Sequence, residues 1–323
     1  MIEKYILPSI TGRGLGVGLL LLAFILGACS NDDEQVPQQP NSYPLTIEVT
    51  ENPMVQDGEE GGTTRVAITD NSTLNSFKMD YVYGGTYTNG ENAAYSATNT
   101  SGTWTTTGTW PSTGDNNTTV NWYAYSSGTF YLTDDANRYP YISFTVDETV
   151  ASQHDLLVAT ASGTYSGTNG NLSFNFDHAC AALRFYVKKA NALSGTLNIT
   201  SIKLCNVYKG GRYYYGNGTW TVSTTIANPL SEYSLSSNIN NLGSDTYQVL
   251  NGSEDNSYLF LIPQELTAWN SSSNPNGTYI EVVWALTGVN AGSGTAKIPL
   301  AMSLEKGKKY NVRINLGLTA LSN

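Results

Sequence analysis

Leu172-Ser173-Phe174-Asn175-Phe176-Asp177-His178-Ala179-Cys180-Ala181-Ala182-Leu183-Arg184-Phe185-Tyr186-Val187 carries the strongest information about the fold. Leu172, Phe174 and Phe176 recur at every second residue, the period of a strand whose alternate side chains share one face. Residues 177–182 interrupt that rhythm, and Leu183, Phe185 and Val187 restore it. The spacing predicts one strand, a brief crossing made by a bulge or a single helical turn, and then a second strand. Charge and turn residues gather just beyond, in Lys188-Lys189-Ala190-Asn191, and a domain boundary is expected there.

The same period extends in both directions. Upstream, Tyr43, Leu45, Ile47 and Val49 alternate with Pro44, Thr46, Glu48 and Thr50, so the apolar set lines one face of a half-buried strand. Phe77, Met79, Tyr81 and Tyr83 form another such set. Trp104 and Trp110 read as hairpin material, and residues 120–125, 130–132 and 141–146 as three short strands. Downstream, residues 197–204 alternate, Gly210-Gly211 invites a hairpin, and residues 258–262 run into Pro263, which ends a strand or marks an edge. Residues 280–286 suit a buried strand. Tyr310, Val312, Ile314, Leu316 and Leu318 alternate with Asn311, Arg313, Asn315 and Gly317 near the C-terminus. Helical periodicity is absent, and short strands separated by turn signals predict an all-β chain of two tandem antiparallel β-sandwich domains, residues 42–190 and 191–323.

The first residues read as an address. Lys4 and Arg13 precede an apolar, glycine-bearing run over 15–28 that is too short to span a bilayer comfortably and suits a secretory signal. Leu26-Gly27-Ala28-Cys29 resembles a bacterial lipobox. Residues 1–28 are then a lipoprotein signal peptide, and Cys29 is the first mature residue, carrying fatty acyl chains such as palmitate. Those chains hold a membrane at about 0.8 kcal/mol per buried methylene. Residues 29–41, with Asn31-Asp32-Asp33-Glu34 and two prolines, form a polar tether. Acylation leaves Cys180 and Cys205, as two buried thiols or as a disulfide.

Composition narrows the function. The chain has 323 residues, a formal net charge of -10 and two histidines, which argues against a basic phosphate-binding footprint and a histidine-rich metal site. Nucleic acid is not expected as a partner. Hydrophobic residues make up 40%, enough for sizeable cores rather than a disordered chain. His154 and Asp155 are neighbours on a strand and point to opposite faces, so they do not orient one another for catalysis. His178, beside Asp177 and near Cys180, reads as a satisfied structural histidine, because nothing marks a base within reach of the thiol or an oxyanion site. Gly84-Gly85 and Gly210-Gly211 lack the pattern of a phosphate loop, and the adjacent acids Glu59-Glu60 and Asp134-Asp135 are not a glycosidase pair. No catalytic residue, metal ligand or cofactor is expected, and the chain does not read as an enzyme. Trp104, Trp110 and Trp122 leave one alternative: a monomeric outer-surface lipoprotein that binds glycan or host protein through an aromatic platform.

Between the first strand and the next runs Asp57-Gly58-Glu59-Glu60-Gly61-Gly62-Thr63-Thr64-Arg65-Val66, an acidic, glycine-rich connection that a protease could reach. Together with the lipobox, Asn121-Trp122-Tyr123-Ala124-Tyr125, Gln153-His154-Asp155-Leu156-Leu157-Val158-Ala159, Phe174-Asn175-Phe176-Asp177-His178-Ala179 and Phe260-Leu261-Ile262-Pro263-Gln264, it resembles the fimbrillins. These are the lipoprotein-derived pilin subunits of Bacteroidales fimbriae, of the type V or Mfa-like kind. The resemblance implies transthyretin-like sandwiches and cell adhesion through a surface fimbrium (pilus). It also implies export as an outer-membrane lipoprotein precursor and cleavage between Arg65 and Val66 by an arginine-specific protease. Removing the strand with Tyr43, Leu45, Ile47 and Val49 then opens a sheet edge that a strand from another subunit, self or heterologous, fills. Residues 310–318, from Tyr310 to Leu318, are either that donor strand or the last resident strand of the second sandwich.

Overall fold

In the computed structural model, which describes residues 43–56, 74–83, 90–111, 116–132, 140–224, 230–251 and 258–322, the phase change at 172–187 is a strand, a bend and a strand. Asn171–His178 and Ala181–Lys189 are the strands, and only Ala179 and Cys180 lie between them. The crossing therefore uses neither a bulge nor a helical turn. Leu172, Phe174 and Phe176 enter one apolar core, whereas Leu183, Phe185 and Val187 enter a second.

In chain order the strands begin with β1 (Tyr43–Pro44), β2 (Thr46–Glu51), β3 (Val55–Gln56), β4 (Ser76–Tyr83), β5 (Gly90–Thr100) and β6 (Thr103–Thr106). Next come β7 (Thr109–Trp110), β8 (Val120–Tyr125), β9 (Thr129–Tyr131), β10 (Tyr141–Thr145), β11 (Leu157–Gly163) and β12 (Asn171–His178). β13 (Ala181–Lys189), β14 (Leu197–Tyr208), β15 (Gly210–Tyr214), β16 (Thr219–Val222), β17 (Leu230–Ile239) and β18 (Gln248–Val249) follow. The last are β19 (Tyr258–Leu261), β20 (Glu265–Leu266), β21 (Tyr279–Leu286), β22 (Gly292–Pro299), β23 (Met302–Ser303) and β24 (Lys308–Leu316). Two four-residue helices, α1 (Tyr165–Thr168) and α2 (Leu318–Leu321), interrupt the β structure. Among the described residues no helix is long and apolar enough to cross a membrane, which says nothing about strands.

Seven strands in the order β2-β12-β11-β8-β4-β5-β6 wrap the first core, and the end strands β2 and β6 lie against each other. The sheet thus curls on itself, and the pair β1–β7 extends the closure, with Tyr43 opposite Trp110. The second core lies between β18-β13-β24-β3 and β17-β14-β21-β22, whose inward side chains include Phe185, Ile314, Ile199 and Val282. A third sheet, β16-β15-β10-β9, adds Phe130, Ile142, Phe144 and Tyr213 to the second core. It joins strands from before and after residue 190, and residues 41–323 hold together as one compact unit containing both cores.

Three departures from the sequence pattern have local causes. The expected sandwiches were antiparallel throughout, but β2 runs parallel to β12, and β24 runs parallel to both β13 and β3. Parallel pairing needs a long intervening chain, and each of these pairs joins strands far apart in sequence. In β14 the inward residues are Leu197 and Ile199, then Ile202 and Leu204. A register shift between Ile199 and Ser201 against β21 moves the phase by one residue. Gly210-Gly211 does not form a hairpin turn; both residues lie within β15, where a Cβ on Gly211 would sit 2.4 Å from the carbonyl oxygen of Thr221. Glycine is required there by the close approach of β16. Pro263 does follow the end of an edge strand, since β19 stops at Leu261 and, among the described residues, pairs with β13 alone.

Cys180 and Cys205 are both buried free thiols. Burial, with the Asp155 carboxylate next in weight, holds the Cys180 thiol well above its ordinary range; burial, then Glu232 and Glu281, pushes Cys205 up to about 12. The thiolate is the reactive form, so Cys205 has about a thousandfold less of it than an ordinary exposed thiol at the same pH. Neither cysteine of this pair is expected to take up iodoacetamide at pH 8 in the native protein, and both to do so in denaturant. Rapid native labelling of either, read by mass, would contradict this placement.

Candidate functional site

The first alternating strand closes the seam of the first core. β2 forms one end of the seven-stranded sheet and pairs with β12 from Thr46–Asn171 to Glu51–Phe176. The Thr46 amide also donates to the Gly170 carbonyl at 2.9 Å, and the Asn52 amide to the Phe176 carbonyl at 2.7 Å. Side chains repeat the ladder outside. Thr46 bonds Asn171, the Thr50 hydroxyl donates to Asn175 Oδ1 at 3.0 Å, and Asn52 Nδ2 donates to Asp177 Oδ1 at 2.7 Å. On the inner side Leu45 is buried, and Ile47 and Val49 are half-buried against the first core. Burying such side chains is worth about 1.5–3 kcal/mol when complete. The two half-buried residues bring the apolar contribution to roughly 5 kcal/mol before the cost of ordering the strand.

The leading segment also reaches the second core, which the alternation gave no reason to expect. Met54 is 4% exposed and packs into that core. β3 then pairs with β24, Val55 opposite Lys308 and Gln56 opposite Lys309. The Val55 amide donates to the Gly307 carbonyl at 2.8 Å, and Gln56 Nε2 to the Lys309 carbonyl at 2.9 Å. A single methionine after Asn52-Pro53 carries no period, so only its packing identifies it. Residues 43–56 therefore occupy an edge in each of two sheets. At the end of β2, Glu51 Oε1 accepts from the Leu74 amide at 3.2 Å.

Arg65, Val66 and Cys29 lie outside the described residues. The C-terminal run is placed fully. Tyr310, Ile314 and Leu316 are buried in the second core, Val312 packs against it, and β24 pairs with β13 over eight residues from Ala182–Lys309 to Lys189–Leu316. Leu318 leaves the strand and opens α2, whose Leu321 is buried in the same core.

The residues that invited a catalytic reading are instead clamps between chain segments. Asp155 pairs with His178, Oδ2 and Nδ1 being 2.5 Å apart, and its Oδ1 accepts from the Cys180 amide at 3.2 Å. His154 points outward from the extended segment ahead of β11 rather than from a strand, and on β12 Asp177 meets Asn52 while His178 is buried, as alternation across a strand requires. Gln153 is buried; its Oε1 accepts from the Phe260 amide and its Nε2 donates to the Asp147 carbonyl, each at 2.9 Å. Gln264 brackets Tyr208, accepting from its amide and donating to its carbonyl, both at 2.9 Å. Trp220 Nε1 and the Gly307 amide donate to the carbonyls of Ala179 and Cys180, which satisfies the bend. Asp155 thus joins the segment ahead of β11 to the crossing, Gln153 joins that segment to β19, and Gln264 joins the residues after β19 to β14.

The tryptophans do not form a platform. Trp110 and Trp122 are buried in the first core, and half-buried Trp104 packs against it, its ring 5.2 Å from that of Phe77. A stretch rich in Thr and Gly obscured this, because the burial comes from curling of the sheet rather than from local pattern.

Comparison with known proteins follows the same geometry. A family model described as Fimbrillin-like matches residues 54–322. No curated protein matches the chain. Among solved structures, a fimbrial protein from Bacteroides vulgatus is 18% identical with a TM-score of 0.53, and the match covers 84% of this chain and 95% of that one. A proposed cell adhesion protein from Bacteroides ovatus is 18% identical, with a TM-score of 0.47 and coverage of 84% and 92%. Another from Bacteroides eggerthii is 13% identical, with a TM-score of 0.48 and coverage of 86% and 88%. The first of these likenesses is a likeness of fold.

Proposed function

Because the chain belongs to the fimbrillin-like family, we propose that it is a non-enzymatic structural subunit of cell-surface fimbriae, assembled by removal of its leading strand and entry of a strand from another subunit. The observation that carries this reading is the seam: residues 43–56 fill an edge in each of two sheets and cover apolar side chains of both cores. An edge stripped of its neighbour presents unpaired N–H and C=O groups beside uncovered apolar pockets, and an extended segment satisfies both. In this proposal Cys29 is acylated and holds the precursor at the outer membrane, an arginine-specific protease cuts between Arg65 and Val66, and the sandwiches are of the transthyretin-like kind. The division into 42–190 and 191–323 is part of the same proposal, with β3, β9, β10 and β13 lent to the second core. Burial of Tyr310, Ile314 and Leu316 supports keeping β24 resident, so the incoming strand is supplied by a different subunit.

Treating the precursor with an arginine-specific protease, with partner fimbrial subunits present, tests the proposal. A new N-terminus at Val66 and a ladder of higher-mass species are expected. A chain cut at that bond that remains a monomer in the presence of partner subunits would refute strand exchange.

A further inference from the structure

Four of the chain's sixteen Lys and Arg residues lie on the outward face of the sheet that holds β13 and β24, in a protein whose formal net charge is -10. They alternate with tyrosines. Lys309 Nζ is 5.7 Å from the Tyr258 ring centre, and the Arg184 guanidinium lies 4.2 Å from the same centre. Arg184 Nη1 donates to the Tyr186 hydroxyl at 3.5 Å. Arg313 is 6.0 Å from the Tyr186 ring and 5.9 Å from that of Tyr247, and Lys188 Nζ is 4.8 Å from Tyr247. The strand register builds this ladder: Arg184 is opposite Asn311 and Tyr258, Tyr186 opposite Arg313, and Lys188 opposite Asn315.

Each such contact contributes about 0.5–1 kcal/mol, so the stack positions its cations without neutralising them. Among the described residues none of Arg184, Lys188 and Arg313 is ion-paired with a carboxylate. Arg184 Nε is buried without a hydrogen-bond partner. Burial, then the nearby charge of Arg184, holds the Lys309 ammonium below its ordinary range. Arg184, Lys188 and Arg313 thus form a fixed positive field that no carboxylate among the described residues pairs. Arg313, Asn311, Asn315 and Tyr247 are exposed on it, while Arg184, Tyr186 and Lys188 are half-buried.

We propose that this face binds an anionic polysaccharide, whose carboxylate or sulfate groups the cations hold while the amides of Asn311 and Asn315 meet its hydroxyls. Spacing favours that occupant. Read across the register of β13 and β24, Lys309, Arg184, Arg313 and Lys188 fall at successive alternate positions, about 7 Å apart along the strands at ~3.3 Å per residue. Charges so spaced match a chain of acidic sugars better than a duplex carrying one charge per ~1.7 Å. Tyrosine rings and edges interleaved with the cations offer apolar contact to sugar faces, which an acidic peptide does not need. Guanidinium groups held by stacking also lose little freedom on meeting a carboxylate.

Titration of the purified full chain with polygalacturonate, and separately with heparin, tests this assignment. Binding to at least one is expected, weakening as salt rises because exposed charges are screened beyond about 10 Å at 0.1 M. Arg313→Glu combined with Lys188→Glu should weaken it by about tenfold or more. Lys78→Glu, a reversal at an exposed position on the first-core sheet, should leave binding unchanged. If the double variant folds poorly, Arg313→Gln alone provides the test and should still weaken binding. The proposal is overturned if neither polysaccharide binds the unmodified chain at low salt, or if Lys78→Glu weakens binding as much as the ladder variants. It is equally overturned if polyglutamate or duplex DNA binds as tightly as the polysaccharides, or if the ladder variants bind like the parent.

Discussion

A chain carrying Arg65→Ala is expected to fold and reach the membrane like the parent but to give no polymer ladder. The expectation follows from what the leading segment does before and after a cut. While residues 43–56 remain tethered to the rest of the chain, their return to the two edges is intramolecular and occurs at a high effective concentration. A donor strand must outcompete that. Cutting the connection makes the segment a separate peptide, and its hold falls to what its own contacts provide, roughly 7 kcal/mol of apolar burial once Met54 is added, less the cost of ordering it. A peptide so weakly held leaves at low concentration, and the exposed N–H and C=O groups of β12 and β24 then accept a strand from a neighbour. Without the cut that release does not occur. Ladders from the Arg65→Ala chain at normal yield would show that polymer contacts do not depend on processing. A mixing experiment with a synthetic peptide of residues 43–56 adds a second readout, since the peptide should slow ladder growth of the trimmed chain.

Asp155→Ala is expected to lower stability by about 3–5 kcal/mol, the largest loss anticipated for a single side chain that makes no contact with a partner molecule. Asp155 is 3% exposed, and its carboxylate accepts from His178 and from the Cys180 amide on either side of the bend between β12 and β13. Removing it leaves two buried polar groups without an acceptor where the chain passes from one core to the other. Asp155→Asn keeps one amide oxygen for the Cys180 amide and should cost less. His154→Ala changes an exposed neighbour and should stay within about 0.5 kcal/mol of the parent. Urea unfolding monitored by tryptophan fluorescence separates the three, provided the slope with denaturant is unchanged. A loss below about 1 kcal/mol for Asp155→Ala would mean that the bend is held by the Trp220 and Gly307 bonds alone.

The same pair illustrates how far local reading reaches. Proximity in sequence joined His154 to Asp155 and His178 to Asp177, and both associations fail because neighbours in extended chain, ahead of β11 as on β12, face opposite ways. The association that forms, Asp155 with His178, links β12 to the residue just ahead of β11, which is antiparallel to it. A rule as simple as the two-residue period cannot supply that partner, since register between strands depends on packing of whole faces. Residues 43–49 were legible as a half-buried strand for the opposite reason: their alternation is local. Their position at the closure of a curled sheet was not, nor was the second attachment through Met54 and β3.

Strand content, the inward and outward sides of most strands, and the interruption at 177–182 were determined by the amino-acid sequence alone, because a strand's period is expressed by residues that touch in sequence. Which strands are parallel, which edge the leading segment closes, how Gln153, Asp155 and Gln264 tie distant stretches together, and how four cations and three tyrosines come to share one face were decided only by tertiary structure. Those features join side chains tens to hundreds of positions apart. Their free energy comes from burial and hydrogen bonding that exist only after the sheets have packed.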